Sequence, residues 1–266
     1  MNAQCSDFFS FFYLIFFSKF EDTTLTSYPN GGRNPKASKV RASLFQLQAL
    51  RLFRFSNDEV VELLAGSDEV KFLVHRTILC DASKVFTKAF DGQFKENTQK
   101  MMKLPEDEAA IFELLVEWLY TGRYDLPKDD PVERSHHLQA VKLFCLAEKY
   151  DVRTLKERIV SLAFIAGRNN ESSAPGFDSL AYLFDNTTDN SGMRKILVDW
   201  WIWKIKYDFY TRDNEGLQKL LCVQPDLSVA LLAAMSRRVK DPNLRSPFDS
   251  GQAADYFDRD DGVFPK

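Results

Sequence analysis

Histidine and cysteine are scarce in this chain. Its 266 residues hold three histidines, His75, His136 and His137, and four cysteines, Cys5, Cys80, Cys145 and Cys222. No two cysteines form a CxxC pair and nothing matches zinc-ligand spacing, so neither a metal site nor a cofactor is expected. The cysteines read as small buried hydrophobes in a reducing compartment, which implies an intracellular protein, cytoplasmic, nuclear or both. An excess of positive charge is also missing. The formal net charge is -3, and a run such as Arg237-Arg238 is too short to build a basic face. Direct nucleic-acid binding is therefore not expected. Long apolar runs are lacking as well. The most apolar stretch, Phe8 to Phe17 (FFSFFYLIFF), is too short to cross a bilayer as a helix, so no membrane partner is expected.

What the chain does contain is ample core-forming material. Hydrophobic residues make up 45% and charged residues 27%, enough to bury a core over most of the length. The aromatic run at the start has three readings: a signal or anchor, a partner-binding segment, or an ill-defined start of the reading frame. Asp7 precedes it where a signal peptide would carry basic residues, and no clean small-residue cleavage site follows. The third reading is preferred, because residues 18–39 turn polar and loop-like. Leu44, Leu47 and Leu50 have loose helical spacing and predict a short helix ahead of the fold.

Val60 to Ala65 (VVELLA) and Val70 to Val74 (VKFLV) predict a β-hairpin across the turn Gly66-Ser67-Asp68-Glu69. His75 to Cys80 reads as a short helix. Ser83 can cap the next, which buries Phe86, Ala89 and Phe90 and leaves at Gly92. Lys100 to Leu104 reads as a strand. Pro105-Glu106-Asp107-Glu108 opens a helix with apolar positions Ile111, Phe112, Leu115, Trp118 and Leu119, ended by Gly122. A charged loop at Asp125 to Ser135 leads to helices over His137–Tyr150 and Asp151–Ala166. Further helices are expected near Leu180–Phe184, around Met193–Tyr210, and from Pro225-Asp226 to about Val239.

In this order the elements resemble the BTB/POZ family, and in particular the BTB proteins of filamentous fungi. The residues that carry the resemblance are VVELLAG (Val60–Gly66), FLVHRTILC (Phe72–Cys80), SKVFTKAF (Ser83–Phe90), GQFKE (Gly92–Glu96), LPED (Leu104–Asp107), FELLVEWLYTG (Phe112–Gly122) and LFCLAEKYDV (Leu143–Val152). The resemblance implies an α+β fold, a small β-sheet covered by helices, followed by an all-helical C-terminal extension. The expected organisation is an N-terminal segment over 1–50, largely flexible; a BTB/POZ domain over 51–166; a linker over 167–177; a helical extension over 178–240; and a flexible tail over 241–266.

The resemblance also implies recognition rather than catalysis. The protein is expected to dimerise with itself or with another BTB chain, with Leu47, Leu50, Glu59 and Arg76 at the dimer interface. The family's first strand usually begins with an aspartate; here Glu59 takes that place and Asp58 stands one step earlier. Arg76 either pairs with this acid in the dimer groove or is a solvated surface charge. The alternative is a substrate adaptor of a cullin-based ubiquitin ligase, with Phe94, Glu96 and Tyr124 as the cullin contacts. Against that, Phe94 can simply pack over a helix end. A second alternative is a transcriptional co-regulator acting through a DNA-binding partner. His75-Arg76 suggests catalysis, but no motif sets a nucleophile beside it. No catalytic residue is assigned, no enzyme activity is expected, and a hydrolase is the least favoured reading. Trp200, Trp201 and Trp203 are read as core rather than an aromatic cage, with Trp200 and Trp203 sharing a face and Trp201 pointing elsewhere.

Overall fold

The computed structural model describes residues 58–125, 133–169, 175–204, 214–241 and 243–258. The expected short helix with Leu47 and Leu50 lies outside them, as do residues 126–132 of the charged loop.

The hairpin forms as its alternation predicts. β1 (Val60–Ala65) and β2 (Val70–His75) pair antiparallel, with Leu63 opposite Phe72 and Val61 opposite Val74. One face is core: Val61, Leu63, Ala65 and Val74 are fully buried. The other face leaves Val60 and Leu73 exposed. A crossover of three helices, α1 (Arg76–Ala82), α2 (Lys84–Asp91) and α3 (Lys95–Gln99), returns the chain to β3 (Met101–Leu104). β3 lies parallel to β1 on its free side, which gives the strand order β2-β1-β3. A parallel neighbour needs such a crossover, because a tight turn can only reverse direction.

Ser83 caps α2 as predicted, its Oγ accepting from Phe86 N at 3.1 Å. The same hydroxyl donates to the carbonyl of Tyr150. Phe86 and Phe90 are fully buried, while Ala89 is only half-buried. The helix expected to open at Pro105 instead starts later, as α4 (Ala109–Thr121), with Glu108 at its N-cap. The reason is Asp107. Its side chain turns inward, accepts from Lys149 Nζ at 2.8 Å and from the Tyr150 hydroxyl, and is almost wholly buried. Gly122 ends α4 in the left-handed region, as expected.

Two long helices follow, α5 (Glu133–Lys149) and α6 (Arg153–Asn169). α5 thus begins inside the expected charged loop. α6 starts two residues later than predicted, since Asp151 has φ 53°, a conformation a helix cannot hold. α6 also continues through Gly167–Asn169, so the expected linker at 167–177 is helical at its start, and Pro175 beyond it is buried.

The extension comprises α7 (Phe177–Asn186), α8 (Gly192–Lys204), α9 (Asn214–Val223) and α10 (Pro225–Lys240). α9 has no counterpart in the sequence expectation. α8 is the central helix of this part, and from Gly192 to Ile202 all its residues but Lys195 are buried. Trp200 faces His137 at 5.6 Å between ring centroids, and Trp201 stacks obliquely on Phe177 at 5.4 Å and donates to Pro175 O at 3.0 Å. Trp200 and Trp201 are therefore core, Trp201 as buried as its neighbour although it points the other way, while Trp203 is half-buried and packs against that core. Arg194 on the same helix is buried too. Its guanidinium donates to Phe184 O at 2.7 Å, Thr187 Oγ1 at 2.8 Å and Asp189 Oδ1 at 2.8 Å. It thereby satisfies carbonyls that the end of α7 leaves unpaired.

The expected flexible tail is folded as far as residue 258. After α10 the chain forms a one-turn helix, α11 (Pro247–Ser250), and a 3-10 turn at Ala253–Tyr256. Phe248 and Tyr256 are buried, and Phe164 on α6 contacts both rings, at 5.6 and 6.0 Å. Gly167 makes room for this: a Cβ there would lie 2.5 Å from the Phe248 ring. Arg168 donates to Phe248 O at 3.0 Å and Gly251 O at 2.9 Å, and Lys156 pairs with Asp258 at 2.9 Å. Polar composition suggested a mobile end, but two aromatics spaced eight apart hold the strap on α6 and α8. One continuous hydrophobic core runs from Val61 to Tyr256.

Candidate protein-interaction surface

Arg76 sits within a group of charged side chains. Arg76 is the first residue of α1, directly after β2. Its backbone N–H donates to Glu59 O at 2.8 Å, which holds the start of β1 against the start of α1. The guanidinium reaches Glu59 Oε2 at 3.6 Å, donates to Phe90 O at 3.0 Å and pairs with Asp91. Phe90 and Asp91 end α2, where a cation is favoured by unpaired carbonyls and the helix dipole. Lys100 closes the group from the far side with Glu59 at 3.0 Å. Arg76 is thus neither free nor buried: its side chain is 30% exposed. Two acids and two bases balance here, half in solvent. Sequence reasoning missed Asp91 and Lys100, which lie 15 and 24 positions from Arg76 and follow no local pattern.

The acid one step before Glu59 has a different task. Asp58 accepts from Thr77 N at 3.0 Å and from Thr77 Oγ1 at 2.8 Å. It caps α1 from another element, where the N-cap residue His75 offers no side-chain bond. The displaced aspartate therefore works as a cap.

His75 is held structurally. The Tyr120 hydroxyl accepts from His75 N at 3.1 Å and lies 2.7 Å from His75 Nδ1. Burial pulls the imidazole below its ordinary range, outweighing the attraction of Asp58. Burial also pushes the Tyr120 hydroxyl up. Among the described residues no group of three or more His, Cys, Asp or Glu is placed to hold a metal ion.

Phe94 stands out just after the end of α2, as the N-cap residue of α3. It is 61% exposed, a high value for a phenylalanine. The loop that presents it is well braced: Asn97 Nδ2 donates to Gly92 O at 2.9 Å, and Asn97 N to Phe94 O at 3.2 Å. Glu96 follows in the first turn of α3, half-buried. Tyr124 does not join them. The structure buries it, leaving 7% exposed, and burial pushes its hydroxyl up to about 12. The cause is Arg158 on α6, which donates to Tyr124 O at 3.0 Å and pairs with Asp125 at 2.6 Å. That pulls the segment after α4 onto α6 and turns the ring inward. As an exposed contact, Tyr124 is corrected to a core residue.

Residues 55–162 match the family model described as BTB/POZ domain. This stretch is a BTB/POZ domain. Its three-stranded mixed sheet and helices, followed by a helical C-terminal part, agree with the α+β fold expected from the motifs. Two relatives from Arabidopsis thaliana are similar to this chain. "Armadillo BTB Arabidopsis protein 1" is 30% identical over 91 residues, 34% of this chain and 11% of that protein. "ARM repeat protein interacting with ABF2" is 31% identical over 58 residues, 22% of this chain and 8% of that protein. The chain thus spans about a tenth of the length of these curated relatives. The BTB domain is a protein-interaction module. The fungal affinity suggested by the motifs is not part of these similarities.

Proposed function

We propose that this protein pairs through its BTB domain, with a second copy or with another BTB chain. The observation that carries the reading is the outer face of the β1–β2 hairpin. Val60 and Leu73 are 43% and 41% exposed there, beside the half-exposed group of Glu59, Arg76 and Lys100. An apolar patch with a balanced charged rim is the composition of a pairing surface. Sedimentation over the micromolar range tests it. A dimer that Leu73→Asp dissociates supports the reading; a monomer throughout rejects self-pairing, and co-purification with a second BTB chain then tests hetero-pairing. The free cysteines Cys80, Cys145 and Cys222 fit an intracellular, reducing setting for such a pairing module.

A second reading, a cullin ligase adaptor, is favoured by the exposed ring of Phe94 on its braced loop. It is tested by titrating the protein against a cullin N-terminal region. Absence of binding rejects it.

A further inference from the structure

Helix α10 is apolar on two sides. Leu227, Leu231 and Ala234 are buried against the body of the protein. The other side carries Val229, Leu232, Met235 and Val239, exposed by 67%, 65%, 45% and 80%. At the helical repeat these four share a sector of roughly 120°. Ala233 and Ser236 beside them are exposed, small and uncharged. Charge is confined to the ends. Asp226 lies in the first turn, and Arg237, Arg238 and Lys240 in the last. Arg238 is turned back onto the protein, donating to Ile202 O at 2.7 Å and lying over the Trp203 ring. Asp226 and Lys240 are both exposed and make no ion pair among the described residues.

We propose that this stripe is a second self-association surface, on which another copy of the chain lays its own α10 antiparallel. The charge pattern selects that occupant. Asp226 and Lys240 lie along one edge of the stripe, and an edge acidic at one end and basic at the other complements itself only when reversed. Positions 226 and 240 are equidistant from Ala233, so a two-fold axis beside Ala233 brings Asp226 of each copy to Lys240 of the other. The reversed pairing also opposes the two helix dipoles, whereas a parallel pairing would align like ends. Ala233 lies on the edge of the stripe, level with that axis and midway between the two charge pairs. A lipid surface would meet the same stripe with an acid at one end and gain nothing from it. A 16-residue helix is about 24 Å long, so the contact is smaller than a standard interface of about 1,600 Å² and weak by itself. It lies outside the BTB domain and does not depend on pairing there; together the two surfaces would link BTB dimers into larger assemblies.

The test is disulfide trapping in the full chain. Cys5 and the exposed Cys222 are replaced by serine, and Ala233→Cys is compared with Asn190→Cys, an exposed site off the stripe. Under mild oxidation the Ala233→Cys protein is expected to cross-link about tenfold faster, because the docked geometry raises the effective thiol concentration. Leu232→Asp, at a position 65% exposed and so compatible with folding, is expected to abolish the difference. In the same background Asp226→Lys and Lys240→Glu are each expected to slow cross-linking, and an equal mixture of the two to restore it. Equal rates at 233 and 190 would overturn the proposal. So would a mixture no faster than its components, or Leu232-dependent binding to anionic vesicles without cross-linking. Leu73→Asp leaves this readout unchanged, which separates it from pairing through the BTB domain.

Discussion

The hydroxyl of Tyr256 donates to Asp199 Oδ2 at 2.8 Å, across 57 residues of sequence, and both side chains are buried. This bond fastens the C-terminal strap to the central helix of the extension. Burial raises the Asp199 carboxyl above its ordinary 3.8, opposed by the Tyr256 bond and by Lys195 and Arg237. A raised carboxyl binds more protons folded than unfolded. Its stabilising contribution is fully present below pH 3.8 and is lost as pH rises through the raised folded value. Tyr256→Phe removes a buried side-chain donor to Asp199 and raises that carboxyl further. It is expected to cost about 1–3 kcal/mol at neutral pH, and the penalty should shrink toward pH 4. Denaturant unfolding of both proteins across pH 4 to 8 checks this; a penalty that grows on acidification would contradict it.

Gly192 should not tolerate a side chain. A Cβ there would sit 1.7 Å from the carbonyl oxygen of Tyr256, which no relaxation of side chains relieves. Gly192→Ala is expected to dislodge the strap at a cost of about 1–3 kcal/mol. Limited proteolysis should then cut after Lys240 much faster than in the unaltered protein, while the BTB domain keeps its protection.

Within the LPED motif the two acids should behave oppositely. Asp107 is buried and satisfies Tyr150 and Lys149, whereas the Glu106 side chain is 88% exposed and 3.9 Å from Lys149. Asp107→Ala is expected to lower stability by about 2 kcal/mol or more. Glu106→Ala should stay within about 0.5 kcal/mol, the range of an exposed pair. Thermal melts of the two variants distinguish them.

The same contrast applies to the phenylalanines around α2. Phe86 is fully buried and stacks on Tyr150 at 4.7 Å, so Phe86→Ala is expected to cost about 3–5 kcal/mol. Phe94→Ala should leave stability within about 0.5 kcal/mol. If the cullin reading holds, it should nonetheless weaken cullin binding by roughly thirtyfold, as loss of an aromatic anchor does. Binding unchanged by Phe94→Ala would remove Phe94 from that contact.

The features legible in the sequence are those written within about ten residues. Alternation in VVELLA and VKFLV set the hairpin and its core face. Ser83 three residues before Phe86 set the start of α2, and Gly122 after the apolar spacing of α4 set its end. These signals are local because a strand's faces, a cap and a left-handed stop depend only on neighbours along the chain. Tertiary structure decided the rest. Asp107 could serve as a first-turn helix acid or a buried acceptor, and Tyr150, 43 residues away, chose the second. Tyr124 could face solvent or core, and Arg158 turned it inward. The residues after Asp241 read as a tail by composition, yet Phe248 and Tyr256 fold back onto Phe164 and Asp199. Such choices turn on a partner dozens of residues away, and no local pattern announces which partner will arrive.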